Sequence, residues 1–303
     1  MAHKRREVPK LIVRQNAFSR FLKKNFGYTD VRQYTEPKKF SSRLNSIFLA
    51  KDRDGKDIFI KACRYGDMSE NEYLCTKALW EQAPENFARP LAYHAGKKHA
   101  FCSTEYCPGK DLRTLIELEG GASLSAEQKA QIVEDLYSIF QALQRTEIVH
   151  CDLALKNMLL HNGRVILIDC QLSARRGNTK RISFFSNILK LCLYKWLSTV
   201  NADVLTWEDT REVLYCIQAV GTDDTHRERF DAICEEVKAS IGKLQYVMPY
   251  PSLEELNHCI KVSYLRSLFH PKSKLRSRYR HVTEMLKYMK EHHPSIIGDK
   301  KND

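Results

Sequence analysis

No two of the chain's ten cysteines form a C-x-x-C pair, and the nearest approach is Cys102 with Cys107. Cys63, Cys102, Cys151, Cys170 and Cys192 lie inside apolar runs, where a thiol behaves as a small hydrophobe. This argues against a zinc ribbon or a disulfide framework, and reduced cytosol is the expected setting. A long apolar run is also missing. The most apolar late stretch, residues 182–200, is interrupted by Lys190 and Lys195, whereas a spanning helix needs about 20 mostly apolar residues. The basic opening MAHKRREVPK is followed by no long apolar region, so no secretory signal is expected. There is no internal repeat and no low-complexity tract. No RNA or DNA recognition motif occurs, and nucleic acid is not an expected partner.

What is present suits a globular chain. Its 303 residues, 43% hydrophobic and 28% charged, are enough for one two-lobed domain or two small ones. The net charge of +12 is unevenly placed. Residues 1–40 hold eleven Lys/Arg against three Asp/Glu, and residues 261–290 hold nine against one, so each end carries +8 and the remainder is negative. Such ends attract phosphates or an anionic membrane face, although a solvated surface would look the same.

Along the chain, Leu11, Ile12, Phe18, Phe21, Leu22 and Phe26 recur at roughly helical spacing with basic residues between, a basic amphipathic helix or loop. The runs 45–51 and 57–63, joined by Asp54-Gly55, read as a hairpin. A helix is expected from Ser69 to Trp80, opened by the capping-box-like Ser69-Glu70-Asn71-Glu72 and closed before Pro84. Leu91–His94 and Ala100–Tyr106 read as two more strands. Beyond the turn Cys107-Pro-Gly-Lys-Asp111 the pattern becomes helical. Ser125 to Gln128 caps a helix whose apolar face includes Ile132, Leu136, Ile139, Phe140 and Leu143. Asn162-Gly163 marks a second hairpin, returning as Val165-Ile-Leu-Ile168. Further helices are expected near 182–200, 207–220, 225–244, 252–268 and 281–292.

The second hairpin carries the chemistry. It is flanked by His150-Cys-Asp-Leu-Ala-Leu-Lys-Asn157 on entry and Asp169 on exit. Asp152 and Asn157 stand just before its first strand and Asp169 just after its second, so the ribbon brings all three to one end. A carboxylate and an amide oxygen there suit Mg²⁺, which takes hard oxygen ligands and keeps some waters. A second carboxylate is left to accept a proton from an attacking hydroxyl. These are the parts that phosphoryl transfer requires. Upstream, Lys61 sits mid-strand among apolar residues, a costly place for an ammonium without a partner.

The pattern H-x-D-x-x-x-x-N, hairpin, I-D resembles the catalytic loop and metal aspartate of protein-kinase-like enzymes, and Ile58-Phe-Ile-Lys61 resembles their V-A-I-K strand. The resemblance spans about residues 40–175. It implies an α+β, two-lobed fold with a small β-rich N-lobe and a larger, mainly α-helical C-lobe. A basic N-terminal extension (1–40) would pack on the N-lobe (41–108), followed by a C-lobe with a helical tail (109–303). It also implies an ATP- and Mg²⁺-dependent phosphotransferase. Asp152 would be the proton acceptor, Asn157 and Asp169 the metal ligands, and Lys61 the phosphate contact. Glu72 would orient Lys61, with Glu70 as its alternative. The backbone around Glu105 and Cys107 would bind adenine, while Ser41 and Ser42 would line the phosphate loop.

Departures from that pattern narrow the reading. G-x-G-x-x-G is absent, Asp169-Cys-Gln stands in place of D-F-G, and no A-P-E follows. The chain is therefore similar to compact kinases: aminoglycoside phosphotransferases, RIO kinases and, above all, the lipopolysaccharide (Kdo/WaaP) kinase family. That last resemblance implies a sugar hydroxyl of a lipopolysaccharide inner-core acceptor and a cytoplasmic enzyme, peripheral at the inner membrane. Arg14, Arg20, Lys23, Lys24, Lys272, Lys274, Arg276, Arg278 and Arg280 would contact the anionic surface. A RIO-like serine/threonine protein kinase and a pseudokinase scaffold are the alternatives.

Overall fold

A computed structural model of the chain describes residues 15–34, 45–63, 66–96, 98–175 and 202–243. Apart from residues 202–205, these belong to one compact unit. The first half is a five-stranded antiparallel sheet. Its strands are β1 (Thr29–Gln33), β2 (Asn45–Lys51), β3 (Asp57–Cys63), β4 (Pro90–Ala95) and β5 (Ala100–Glu105), in the order β1-β2-β3-β5-β4. The β2–β3 hairpin keeps unbroken register from Asn45↔Cys63 to Lys51↔Asp57. Asp52 secures its turn by accepting the N–H groups of Asp54 and Lys56.

Side-chain alternation divides β3 between two faces. Ile58, Ile60 and Ala62 pack with Phe48, Phe101 and Tyr28 against helix α1 (Gln15–Phe26). Phe18 and Leu22 of α1 are fully buried there, each contributing roughly 1.5–3 kcal/mol, while Arg20 and Lys23 stay on its outer side. The basic amphipathic segment is thus a helix seated on the sheet. Strand β1, which has no apolar alternation to announce it, follows directly. Lys61 and Cys63 project from the opposite face of β3, which helix α2 (Gly66–Trp80) flanks.

Helix α2 begins three residues before the expected capping box. Ser69 therefore lies inside the helix, fully buried, and Ser69-x-x-Glu72 is not a cap. The early start places Asn71, Glu72 and Cys75 on the inner side.

The second half centres on helix α3 (Ala126–Thr146). Its capping box is present: Ser125 accepts the N–H of Gln128, and the Gln128 side chain accepts the N–H of Ser125. Glu147, with φ +54°, ends the helix. Ile132, Leu136, Ile139, Phe140 and Leu143 form the core with helices α4 (Ala202–Val220) and α5 (Arg227–Lys243). Strand β6 (Lys110–Asp111) pairs with β8 (Met158–His161), and β8 pairs with β9 (Arg164–Leu167). The two-residue turn between β8 and β9 puts both Asn162 (φ +49°) and Gly163 (φ +78°) in the left-handed region, the primed turn that suits a twisted hairpin. Strands β7 (Ile148–Val149) and β10 (Ala174–Arg175) pair antiparallel, enclosing the hairpin. Among the described residues no helix is long and apolar enough to cross a membrane, and the eight described cysteines are free and buried. The expected helices at 182–200, 252–268 and 281–292 lie outside the described residues.

Candidate active site

Lys61 is the hub of the site. Its Nζ donates to Glu72 Oε1 at 2.6 Å and to Asp169 Oδ1 at 2.7 Å. Strand β3 aims it, α2 supplies Glu72, and the end of β9 supplies Asp169. Burial alone would push the Lys61 ammonium down, but the two carboxylates outweigh it and hold it well above its usual range. Glu72 is pushed up by burial, which Lys61 offsets only in part. Asp169 keeps 40% of its side chain exposed. Burial would raise its carboxyl, yet the charge of Lys61 prevails and holds it below the usual carboxylate range. The triad therefore stays ionised at its exposed end, where Asp169 faces outward. Glu70, the alternative partner, instead accepts the Tyr93 hydroxyl at 3.3 Å on the surface.

Asp169 adopts φ +69°, ψ +49°, a left-handed conformation costing a non-glycine residue roughly 1–2 kcal/mol. Cys151, one residue before Asp152, has φ +63°. Such strain persists only where the surroundings hold it, and it clusters at functional sites. For the Cys151 loop the holder is Asp209 of α4, whose carboxylate accepts the N–H groups of His150 and Cys151. His150, fully buried, bonds the Ile168 carbonyl through Nε2 at 3.1 Å. Burial lowers its pKa, against the raising pull of Asp169.

Asp152 and Asn157 meet on this loop. Asn157 Nδ2 donates to the Asp152 carbonyl at 2.7 Å and to Asp152 Oδ2 at 3.1 Å. Since the amide nitrogen bonds to Asp152, the amide oxygen is the group left for a cation. The N–H of Ile168 donates to the carbonyl of Asn157 at 2.9 Å, so Asn157 and Asp169 are tied across the hairpin base. Lys156 lies 3.1 and 3.2 Å from the two Asp152 oxygens. Among the described residues no three His, Cys, Asp or Glu cluster to hold a metal. A lone Asp–Asn pair fits Mg²⁺ that shares its shell with phosphate and water, and does not fit a closed protein cage.

At the β5–β6 connection, the Glu105 N–H donates to the Arg89 carbonyl at 2.9 Å, and the Cys107 amide takes part in none of the described backbone bonds. Cys107 is buried, its thiol pushed up to about 12 by burial and then by Glu105. Ser41 and Ser42 lie outside the described residues. Lys61, Glu72 and Asp169 are thus in contact, Asp152 and Asn157 join them through the hairpin base, and Glu105 ends β5, the strand next to Lys61, with Cys107 just beyond it.

Sequence reading missed Asp209, Asp135 and Asn86, three buried polar braces. Asp135 of α3 accepts the Val165 N–H at 2.7 Å and a two-pronged contact from Arg164. Asn86 donates to the Val165 carbonyl at 3.0 Å, and its own carbonyl accepts the Leu167 N–H. A polar residue at a helical core position was the available signal for Asp135. Asp209 and Asn86 carry no local pattern.

A strand-borne lysine paired to a helix glutamate, facing a hairpin that carries H-x-D-x-x-x-x-N and a terminal aspartate, defines a protein-kinase-like domain. Residues 40–198 match the family described as "Protein tyrosine and serine/threonine kinase", just over half of the chain. The chain belongs to that family and is a kinase, a phosphotransferase of α+β fold. It is 31% identical over 128 residues to the serine/threonine-protein kinase RUNKEL of Arabidopsis thaliana, covering 41% of this chain and 9% of that protein. It is 32% identical over 147 residues to the serine/threonine-protein kinase RIM15 of Saccharomyces cerevisiae, covering 46% of this chain and 8% of that protein. The matches thus span less than a tenth of either relative. ATP and Mg²⁺ are the usual companions of such a domain, and the donor set here suits both.

Proposed function

We propose that this kinase transfers the terminal phosphate of ATP to an alcohol hydroxyl. The observation that carries the reading is the contact of Lys61 with both Glu72 and Asp169, beside the linked pair Asp152–Asn157. Mg²⁺–ATP, when bound, supplies the phosphoryl group and compensates its charge. Lys61 steadies the phosphates, and Glu72 fixes Lys61. Asp169 and Asn157 hold the metal with oxygen atoms. Asp152 accepts the proton of the attacking hydroxyl as the new O–P bond forms and ADP leaves. Lys156, in contact with both Asp152 oxygens, orients the carboxylate. Backbone groups of Glu105 and Cys107 take the adenine edge, and Ser41 and Ser42 cover the phosphates.

Two acceptors fit this chemistry. A serine or threonine of a protein is favoured by the relatives, both named serine/threonine-protein kinases. A sugar hydroxyl of a lipopolysaccharide inner core (Kdo or heptose) is favoured by charge. Two ends of +8 each would meet an anionic glycolipid at the cytoplasmic membrane face, and the missing A-P-E suits a compact kinase. Radiolabelled phosphate transfer from ATP decides between them, measured against peptide pools, Kdo- and heptose-bearing glycolipids and aminoglycosides. Label on peptide alone establishes the first reading, and label on glycolipid alone the second. Label on none of them would remove both acceptor readings.

A further inference from the structure

Asp169 is followed by Cys170-Gln171, and Gln171 is 4% exposed with every side-chain group occupied. Asn45 Nδ2 of β2 donates to Gln171 Oε1 at 2.8 Å. Gln171 Nε2 donates in return to Asn45 Oδ1 at 3.1 Å and to Cys63 Sγ of β3 at 3.2 Å. The two amides thus face each other reciprocally, 126 residues apart in sequence. A third amide completes the set: Asn71 Nδ2 of α2 donates to the main-chain oxygens of Gln171 and Ser173, at 3.2 and 2.9 Å. Asn71 immediately precedes Glu72, and Cys63 lies two residues beyond Lys61. The elements that present Lys61 and Glu72 therefore also grip the turn that holds Asp169 in its left-handed conformation.

We propose that Gln171 is the positioning residue for Asp169, its amide clasp with Asn45 locking the metal aspartate toward Lys61. A buried amide satisfied on both sides has one geometry, and leaving any of its donors unpaired is unfavourable. The turn after Asp169 is consequently held in the metal-binding arrangement by the fold itself, with no added group required. This inference rests on the Mg²⁺–ATP reading given above.

The test is the Mg²⁺ dependence of binding a fluorescent ATP analogue to the full chain, with melting temperature recorded alongside. Gln171→Leu and Asn45→Leu should each raise the Mg²⁺ concentration for half-maximal binding about tenfold. The double variant should be no worse than Gln171→Leu alone, since that substitution already removes both amide–amide bonds of the clasp. If Gln171→Leu does not fold, Asn45→Leu, whose side chain is only partly buried, carries the measurement. A lowered melting temperature with an unchanged Mg²⁺ midpoint would overturn the clasp, because a merely structural role predicts that result. So would additive effects in the double variant. Absence of Mg²⁺-dependent binding in the wild type would overturn the Mg²⁺–ATP reading and this inference with it. Wild-type binding with unaltered variants would overturn this inference alone.

Discussion

At the residue scale, Lys61 shows how burial and charge compete. An ammonium among apolar side chains is unfavourable in isolation, and two carboxylates within 2.7 Å reverse that. His150 shows the opposite outcome: burial prevails and the imidazole is held below its usual range. The consequence for stability has a definite sign. In the unfolded chain the histidine titrates near about 6.5. As the pH falls through that value, the unfolded state takes up a proton that the folded state does not, and stability is lost. The melting temperature should therefore be lower at pH 5.5 than at pH 7.5, and His150→Phe should narrow the difference. His99, lowered first by burial and then by His94, adds in the same direction and remains in the variant. Parallel pH curves for wild type and variant would contradict the assignment. Asp169, lowered from an already acidic value, contributes only at more acidic pH.

At the element scale, the β8–β9 hairpin positions the chemistry and is itself held from outside. Asp135, only 1% exposed, is the chief brace. Asp135→Ala strips the Val165 N–H of its acceptor and Arg164 of its partner. We expect a loss of about 2–3 kcal/mol, which is a fall of about 3–5 °C in melting temperature at this size. A shift under 2 °C in differential scanning calorimetry would show that the brace is dispensable. The hairpin was legible in sequence because Asn162-Gly163 between apolar runs states its turn type directly. The Ser125 capping box and the 57–63 strand were legible for similar reasons: the signal is local. The start of α2 was not. Ser69-x-x-Glu72 imitates a cap, but burial of Glu72 against Lys61 draws the helix in deeper and extends it back to Gly66. Strand β1 is short and mostly exposed, so it lacks the apolar alternation that reveals a strand. Asp209 escaped notice because its partners, the His150 and Cys151 amides, lie 59 and 58 residues away.

At the scale of the whole molecule, the kinase assignment follows from a few residues whose spacing is set by one hairpin, one strand and one helix. These are the features a single sequence displays best. The acceptor is a different matter. Beyond the hairpin the sequence offers charge without a motif from which to read it. The proposed role of Asp152 as proton acceptor is tested most directly by one kinetic comparison. ADP formation from Mg²⁺–ATP, with whichever acceptor takes label, should fall by roughly 10²–10⁴-fold in Asp152→Asn while KM for ATP stays within about twofold. Wild-type turnover in Asp152→Asn would contradict the account.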